Sequence, residues 1–493
     1  MAKATLLKDR ESDDRDELSR TSGPEVPIVA RRLVCVSNRV FLPRRTAAAG
    51  GLAIGVLGAL RHSGGLWFGW NGELSEDAPG EPDIHIRDGV TYASFELRRA
   101  DFEPYYNGFA NGALWPLFHY MPSKCRIRPD EHDAYLNVNR YFARRLAPLL
   151  RPDDLIWIHD YHLIPLGSQL RALGVKAPIG FFLHIPFPHI EVLRILPTHA
   201  ELIRDLCSFD VLGFQTDSDL ASFHSAVERM FGTAAVESES VVRVGERRIT
   251  AAVFPISVDV DSIQQQAAAA RDSAAVRRMI DSLLGRKLMI GVDRLDYSKG
   301  LVERFAAYEQ FLEAFPENRG RITYLQIAPL SRNDVQSYIE IRSALEQATG
   351  RTNGRFADTD WTPIRYVNRN LPHAEVMGFL RAANVGLVTP LRDGMNLVAK
   401  EYLAAQDPED PGVLVLSNLA GAARELEAAL MVNPYDTRGV GHAIQSALTM
   451  SLAERRDRHA SLVSTLRRND IAAWANGFTT ALRAAGQAAE RAA

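Results

Sequence analysis

The chain has 493 residues, of which 46% are hydrophobic and 24% are charged, a composition typical of folded globular proteins and not of disordered or collagen-like chains. The 57 Lys and Arg residues nearly balance the 60 Asp and Glu residues, for a formal net charge of -3. This balance argues against a nucleic-acid-binding protein, in which a basic excess or stripe is expected. At about 100–200 residues per domain, the length predicts two to four domains.

The cysteines and the hydropathy pattern predict a cytoplasmic protein with no membrane association. Cys35, Cys125 and Cys207 are odd in number and widely spaced, which indicates neither a disulfide framework nor a cysteine metal site. No run of about 18 apolar residues occurs. Residues 9–17 are almost wholly charged, so an apolar signal-peptide core is not expected.

The first 32 residues carry many charges of both signs and little apolar periodicity, which predicts a flexible charged tail over residues 1–32. From Leu33 onward, short β-rich runs alternate with stretches of helical spacing, a pattern typical of parallel sheets with crossover helices. The predicted strands are Leu33–Ser37, Leu155–His159, Ile179–Ile185, Val211–Phe214, Leu288–Val292, Ile322–Ile327, Arg365–Val367, Val385–Thr389 and Val413–Ser417.

These strands fall into two series, with a boundary at the segment Phe254–Asp259. We therefore predict an α/β protein of two Rossmann-like, doubly wound parallel-sheet domains, residues 33–255 and 256–469, that face a central cleft. The apolar stripe Ile471, Trp474, Phe478 and Leu482 predicts a C-terminal helix, residues 470–493, that packs back on the first domain.

The most specific segment is Pro390–Glu401, which follows a predicted strand and leads into a helix. A glycine-containing turn before a helix N-terminus presents free backbone N–H groups that suit a diphosphate. Asp393 lies in this turn, and Glu401 follows two helical turns later, within reach of ribose hydroxyls. The alternative is an ordinary loop with a solvated acidic helix.

Arg294 and Lys299 share a second loop, which also follows a predicted strand and ends at Gly300. Two such cations can neutralise a departing diphosphate, because arginine offers a fork of donors and lysine a movable point charge. The alternative is a pair of surface cations.

The first half of the chain offers weaker signals of a sugar-phosphate site. The segment Ser37–Arg39 ends the opening strand, and Gly50 and Gly51 permit a close backbone approach to a ligand. Three aromatic clusters follow, Trp67–Trp70, Tyr105–Asn107 and Leu114–Pro116. Clusters of this kind are common in sugar pockets, although most such residues are core.

Polar side chains also stand at the ends of other predicted strands. Asp160 follows the predicted strand Leu155–His159, His184 lies within the predicted strand Ile179–Ile185, and Arg332 follows Ile322–Ile327. A histidine in such a place is more often structural, but two adjacent strand ends with an aspartate favour a site. The sequence lacks HExxH, GxSxG and GxGxxG patterns, so zinc hydrolase, serine hydrolase and dinucleotide oxidoreductase functions are not indicated.

Taken together, the motifs resemble the trehalose-6-phosphate synthases, a family of retaining glucosyltransferases with the GT-B fold. The resemblance extends from Leu33 to the C-terminal helix. The matching motifs are Ser37–Arg39, Gly50–Leu52, Trp67–Trp70, Trp157–His162, Phe182–Pro188, Asp293–Gly300 and Leu391–Glu401.

The resemblance implies transfer of glucose from UDP-, ADP- or GDP-glucose to glucose 6-phosphate, which yields α,α-trehalose 6-phosphate without a metal or cofactor. It also implies a homotetramer or homodimer.

The implied catalytic residues are His184, Asp160, Arg294, Lys299 and Asp393. The implied donor-binding residues are Gly50, Gly51, Arg294, Lys299, Leu371, Asp393, Gly394, Met395, Asn396, Leu397, Val398 and Glu401. The implied acceptor-binding residues are Arg39, Trp70, Tyr106, Trp115, Asp160 and Arg332.

Two alternatives remain at this point. One is a related transferase with another acceptor, of the glucosylglycerol-phosphate or validoxylamine-phosphate synthase type. The other is a catalytically silent sugar-phosphate sensor. The sequence leaves the nucleobase of the donor open. The resemblance also implies that the leaving phosphate takes the acceptor proton on one face of the sugar.

Overall fold

The computed structural model describes residues 31–40, 56–58, 60, 65–77, 80–330 and 336–492. Most of the predicted charged tail, the glycines Gly50 and Gly51, and Arg332 lie outside these residues. In the part that is described, no helix is long and apolar enough to cross a membrane.

Strands in the described chain form two sheets. The first sheet contains ten strands in the order β3-β4-β2-β1-β5-β6-β7-β10-β9-β8. They are β1 (Leu33–Arg39), β2 (Leu66–Ser75), β3 (Asp83–Arg87), β4 (Val90–Arg98), β5 (Leu155–His159), β6 (Ile179–Phe182), β7 (Val211–Phe214), β8 (Val236–Ser238), β9 (Val241–Val244) and β10 (Arg247–Val253).

The second sheet contains six strands in the order β13-β12-β11-β14-β15-β16, and all its pairs are parallel. They are β11 (Lys287–Val292), β12 (Ile322–Ile327), β13 (Ile364–Val367), β14 (Val385–Val388), β15 (Val413–Ser417) and β16 (Leu430–Val432).

Helices cover the faces of both sheets, and an unusual π-helix spans Glu103–Leu114. The described α-helices are α1 (Arg99–Phe102), α2 (Trp115–Phe118), α3 (Pro129–Leu146), α4 (Leu166–Ala172), α5 (Ile190–Leu193), α6 (His199–Leu206), α7 (Asp217–Phe231), α8 (Val260–Ala270), α9 (Ala274–Asp281), α10 (Leu301–Ala314), α11 (Gln336–Phe356), α12 (His373–Ala382), α13 (Leu397–Ala405), α14 (Thr437–Thr449), α15 (Leu452–Arg468) and α16 (Ile471–Ala492).

The predicted two-sheet α/β fold is confirmed, with differences at the sheet edges. Each predicted run contains a strand, but the strand within Ile179–Ile185 stops at Phe182. The His184 N–H donates to the Asp160 side chain and not to a neighbouring strand, so the ladder of hydrogen bonds ends here. The sequence analysis missed β2–β4, β8–β10 and β16. The β3–β4, β8–β9 and β9–β10 pairs are antiparallel, so the first sheet is parallel only in its centre.

Strand order determines where each sheet can bind a ligand. In the second sheet the chain runs outward from β11 to β13 and then returns to the other side of β11 at β14. Such a reversal opens a crevice beyond the carboxyl ends of the two adjacent strands. The first sheet reverses in the same way between β1 and β5. The segments after β1, β5, β11 and β14 are therefore the places to look for a site.

The C-terminal helix α16 packs on the first sheet. The Phe478 ring stacks on Trp157 of β5 at 4.6 Å between centroids, and Trp474 lies 4.8 Å from the same indole. Gly180 of β6 makes room for this packing, since a Cβ atom there would lie 2.7 Å from the Phe478 ring. The domain limits at residues 255 and 469 stay a prediction.

A buried ion pair lies where the chain passes between the two sheets. The Lys400 ammonium group pairs with Glu425 and donates to the Ile256 carbonyl at 2.8 Å. Asn469 Nδ2 donates to the other Glu425 oxygen at 2.8 Å. Both crossing segments, at Ile256 and at Asn469, are thereby tied to α13, the helix that follows the Pro390–Glu401 turn.

Candidate active site

The turn between β14 and α13 is held in one conformation by its own polar groups. Asn396 has a φ of 80° and caps α13, where its side-chain oxygen accepts from the Ala399 N–H at 3.3 Å. Its Nδ2 donates to Asp393 at 3.0 Å. The Met395 carbonyl accepts from the Ala422 N–H at 2.8 Å. The turn thus keeps the first N–H groups of α13 facing the crevice, as anion binding requires.

The structure places Lys299 beside Asp393, a contact that the sequence analysis did not predict. The Lys299 ammonium group pairs with Asp393, and their side chains are only 12% and 13% exposed. The loop after β11 and the turn after β14 therefore share one charge pair at the strand reversal. An anionic ligand here would compete with Asp393 for the lysine.

Arg294 remains available to a ligand. Its side chain is exposed, and it forms no ion pair with a carboxylate among the described residues. The guanidinium carbon lies 5.8 Å from the centroid of the Trp115 ring, which belongs to the first domain. A cation over an aromatic face keeps its charge while its orientation is fixed. Arg294 therefore points a positive charge into the space between the two sheets.

Glu401 lies on α13, two turns after Asp393. Its carboxylate forms no hydrogen bond with the residues that the structure describes, and burial raises the pKa of the Glu401 carboxyl to about 7. The Glu401 side chain is half-buried, and a desolvated acceptor without a partner is unfavourable in the free protein. Hydroxyl groups of a ligand would supply the missing donors.

Glu401→Gln is expected to stabilise the free protein above pH 7. The folded state holds the Glu401 proton up to about pH 7, whereas the unfolded chain releases it near pH 4.3, so wild-type stability falls as pH rises through this window. We expect the variant to gain about 1–2 kcal/mol at pH 8, after discounting for partial exposure, and nothing at pH 4.

Thermal unfolding at both pH values measures this difference, and Glu228→Gln, an exposed glutamate on α7, is the matched control. Equal gains in stability at pH 4 and pH 8 would contradict a raised pKa of the Glu401 carboxyl as the cause of the effect.

A second buried ion pair supports the loop of Arg294 and Lys299. Arg304, on α10, is 1% exposed and donates to Asp293 at 2.6 Å, to Thr389 at 3.0 Å and to the Lys299 carbonyl at 3.1 Å. It thereby joins the ends of β11 and β14. The sequence analysis missed Arg304, because no local pattern distinguishes it from a surface arginine on a helix.

Arg304→Met should destabilise the protein by about 3–5 kcal/mol, because it leaves the Asp293 carboxylate buried without a partner. Thermal or urea unfolding measures the effect. Arg342→Met is the matched control, since Arg342 forms an exposed pair with Glu346 on α11 whose loss costs less than about 1 kcal/mol. Similar losses in both variants would show that Arg304 does not hold the loop.

The first sheet brings a second group of predicted residues together. The Arg39 guanidinium lies 5.6 Å from the Trp70 ring, and the Trp70 ring lies 6.3 Å from Tyr106. Tyr106 comes from the π-helix and stacks on His162 at 5.4 Å. Rare π-turns are frequent at functional sites. A cation and three aromatic rings thus converge beside the ends of β1 and β5.

Asp160 and His184 lie just beyond the carboxyl ends of β5 and β6, which are neighbouring strands of the first sheet. Asp160 has a φ of 76°, a strained conformation for a residue with a side chain, and its Oδ1 accepts from the His184 N–H at 3.3 Å. Nε2 of His184 and Nδ1 of His159 form a hydrogen bond of 3.2 Å. Burial lowers the pKa of His184 to about 3, so its imidazole is neutral at physiological pH.

His159 and Trp474 form the wall behind His184, and the sequence analysis missed both contacts. The Trp474 ring of α16 lies 6.1 Å from His184 and 6.2 Å from His159. Nδ1 of His184 has no hydrogen-bond partner among the described residues. This nitrogen is therefore the one that can meet a ligand.

The turn after β14 and the loop after β6 meet at Gly394. A Cβ atom on Gly394 would lie 2.2 Å from the His184 carbonyl oxygen, so only glycine allows the turn after β14 to meet the loop after β6. The two groups of predicted residues thereby face one cleft. Further cation–aromatic contacts across the cleft join Lys124 to Tyr297 and Arg392 to Tyr120.

The remaining predicted residues that the structure describes contribute apolar side chains around the site. Trp115 and Met395 are buried, whereas Leu371, Leu397 and Val398 are half-buried against the hydrophobic core of the second domain. Within the described ranges, no three His, Cys, Asp or Glu side chains lie close enough to hold a metal ion.

Comparison with known proteins identifies close relatives over nearly the whole chain. The sequence model of glycosyltransferase family 20 matches residues 37–484. A trehalose-6-phosphate synthase of Klebsiella pneumoniae is 48% identical over 453 residues, which cover 92% of this chain and 95% of that protein.

Solved structures share both the fold and the sequence. An α,α-trehalose-phosphate synthase (UDP-forming) from Burkholderia xenovorans, in complex with glucose-6-phosphate, has a TM-score of 0.87 and 47% identity over 92% of this chain and 100% of that one. A chain from E. coli bound with UDP-2-fluoro glucose also has a TM-score of 0.87 and 47% identity, over 92% of this chain and 98% of that one.

Proposed function

This chain belongs to glycosyltransferase family 20, and we propose that it is an α,α-trehalose-phosphate synthase, a hexosyltransferase that moves glucose from a nucleotide-glucose to glucose 6-phosphate. The observation that carries this proposal is the meeting of two cation-bearing clusters at one cleft, one on each sheet. The reaction has two anionic substrates, and each cluster can neutralise one of them. The product is α,α-trehalose 6-phosphate.

The first-sheet cluster binds the acceptor in this proposal. Arg39 neutralises the phosphate of glucose 6-phosphate, and Tyr106 donates its hydroxyl to the same group. Arg332, which follows β12 of the second sheet along the chain and lies outside the described residues, supplies the second cation for this phosphate. Trp70 and Trp115 enclose the sugar. The Arg39–Trp70 contact at 5.6 Å supports a preformed phosphate site, and a relative has been solved with glucose-6-phosphate.

The second-sheet cluster binds the donor. Arg294 and Lys299 neutralise the diphosphate, and Lys299 exchanges Asp393 for a phosphate oxygen when the donor enters. Asp393 then accepts from hydroxyls of the transferred glucose, and Glu401 accepts from the ribose. The backbone N–H groups that follow Gly394 meet the phosphates, and Gly50 and Gly51 close over them. Leu371, Met395, Leu397 and Val398 supply apolar walls.

We propose UDP-glucose as the preferred donor. The relative from Burkholderia xenovorans is named as UDP-forming, and the relative from E. coli was solved with a UDP-sugar. The 47% identity over nearly the whole chain supports a donor pocket with the same framework in this protein.

Transfer then proceeds with retention on one face of the glucose. The bond between the anomeric carbon and the diphosphate oxygen breaks, the bond to the acceptor hydroxyl forms, and the hydroxyl proton passes to the leaving phosphate oxygen. Arg294 and Lys299 stabilise the charge that develops on the diphosphate. Neutral His184 donates a hydrogen bond to the transferred glucose, and Asp160 orients the acceptor hydroxyls.

We place the reaction in the cytoplasm, which the free thiols of Cys35, Cys125 and Cys207 support. We also propose that the protein works as a homodimer or a homotetramer.

The proposal is tested by nucleotide diphosphate release from the purified protein with UDP-, ADP- or GDP-glucose. Release that requires glucose 6-phosphate and is fastest with UDP-glucose supports the proposed reaction. Faster turnover with glycerol 3-phosphate than with glucose 6-phosphate would assign a different acceptor. Binding of either substrate without any turnover would indicate a sugar-phosphate sensor.

A further inference from the structure

One strand of the first sheet is exposed along its whole length. All five residues of the edge strand β3 are exposed, including Ile84 at 54% and Ile86 at 77%. Each of the other fifteen strands that the structure describes has at least one half-buried or buried residue. An edge strand with exposed apolar side chains is a template for pairing with another chain, and proteins normally protect it.

The hairpin turn determines which backbone groups of β3 are free. Asp88 and Gly89 have φ values of 51° and 76°, the conformation of a two-residue type I′ turn, and the flanking pair is Arg87 with Val90. Such a flanking pair is hydrogen-bonded, and hydrogen-bonded and non-bonded pairs then alternate. The N–H and C=O groups of Ile84 and Ile86 therefore point away from the sheet.

The sequence of β3 is self-complementary when two copies run antiparallel. With His85 opposite His85 of a second copy, Asp83 lies opposite Arg87, and Ile84 lies opposite Ile86. The outward groups of Ile84 and Ile86 then form four backbone hydrogen bonds across the two-fold axis. Two Asp–Arg pairs flank these bonds on one face, and four isoleucines meet on the other.

Neighbouring registers are less favourable. A two-fold axis at Ile84 would place Pro82, which has no N–H, opposite Ile86 and would remove a hydrogen bond. An axis at Ile86 would place Asp83 opposite the turn residue Gly89 and leave the charges unmatched. Only the His85 axis satisfies both the hydrogen bonds and the charges.

We propose that β3 is a homodimer interface, in which β3 of two copies pair antiparallel about a two-fold axis at His85 and join two ten-stranded sheets. The partner is therefore a second copy of this chain. This inference is independent of the proposed reaction, because β3 lies outside the cleft.

A single cysteine at the axis tests the register. Opposite residues of a non-hydrogen-bonded pair lie about 4.5 Å apart between Cα atoms, within the range that a disulfide spans. We expect His85→Cys to form a covalent dimer under mild oxidation with oxidised glutathione, visible on a non-reducing gel. Ile86→Cys, on the same strand but off the axis, is the matched control and should remain monomeric on that gel.

Charge reversal tests the Asp–Arg pairs. Asp83→Arg and Arg87→Asp each place like charges opposite each other twice per dimer, so each should weaken dimerisation at least tenfold in sedimentation equilibrium. The double variant Asp83→Arg/Arg87→Asp exchanges the charges and should restore wild-type affinity. All three should retain wild-type glucosyl transfer, which shows that they are folded.

Three results would overturn the interface. The first is a wild-type protein that is monomeric at about 100 µM, a concentration at which even so small an interface should be populated. The second is a double variant whose dimerisation affinity is no higher than that of the single variants. The third is a covalent dimer formed through Ile86→Cys but not through His85→Cys.

Discussion

Gly394→Ala is expected to lower kcat/KM by at least about a hundredfold while the protein remains folded. The new Cβ atom would lie 2.2 Å from the His184 carbonyl oxygen, and the obstacle is backbone that cannot rotate away. The turn after β14 must therefore withdraw from the loop after β6. Such a shift separates the donor site from the acceptor site, and a displacement of about 1 Å is enough to cost two orders of magnitude.

Steady-state kinetics with both substrates measures this loss, together with a far-UV spectrum and thermal unfolding. Gly350→Ala is the matched control, because Gly350 lies on α11 with nothing within 4 Å of its added Cβ atom. We expect Gly350→Ala to keep full activity. A Gly394→Ala variant with near wild-type kcat/KM would contradict the close approach of the two domains during catalysis.

Arg294→Ala is expected to lower kcat/KM by about a thousandfold, which corresponds to about 4 kcal/mol of transition-state stabilisation. The negative charge on the diphosphate grows as the glycosidic bond breaks, and Arg294 is an exposed cation at the cleft that forms no ion pair with a carboxylate of the described chain. Most of the loss should appear in kcat. Arg294→Lys should recover part of it, since it keeps the charge but not the fork of donors.

Lys124→Ala is the control for the loss of a contact between the domains. The Lys124 ammonium group lies 5.1 Å from the centroid of the Tyr297 ring across the same cleft. This contact is of the same kind as the one between Arg294 and Trp115, at 5.8 Å, but Lys124 has no proposed part in binding the donor. We expect Lys124→Ala to lose less than about tenfold in kcat/KM, the value of an exposed cation–aromatic contact. Equal losses in the two variants would assign Arg294 to domain closure and not to the diphosphate.

The sequence predicted the parts of the site that lie close together along the chain. Spacing and residue type predicted that Asp393 and Glu401 share one turn and one helix, and that Arg294 and Lys299 share one loop, whereas Asn396 came from the family resemblance; their roles in binding stay predictions. The parallel strands were also predicted well, because strands such as β15 are buried on both faces and are therefore apolar throughout.

The contacts that the sequence did not predict join residues that are distant along the chain. The Lys299–Asp393 pair spans 94 positions, and the Arg304–Thr389 hydrogen bond spans 85. The edge strand β3 was missed because it is only five residues long and has no apolar run, although its alternating polarity is a pattern of strands. Partners of this kind depend on strand order, which a single sequence does not specify.

If the cleft joins the two substrates with retention, the label of UDP-[1-13C]glucose stays at an α-anomeric carbon in the product. We would incubate the protein with UDP-[1-13C]glucose and unlabelled glucose 6-phosphate and record the 13C and 1H spectra of the product. We expect one labelled α-anomeric carbon, linked to an α-anomeric carbon of the phosphorylated ring. A β linkage, or labelled free glucose formed without acceptor, would contradict it.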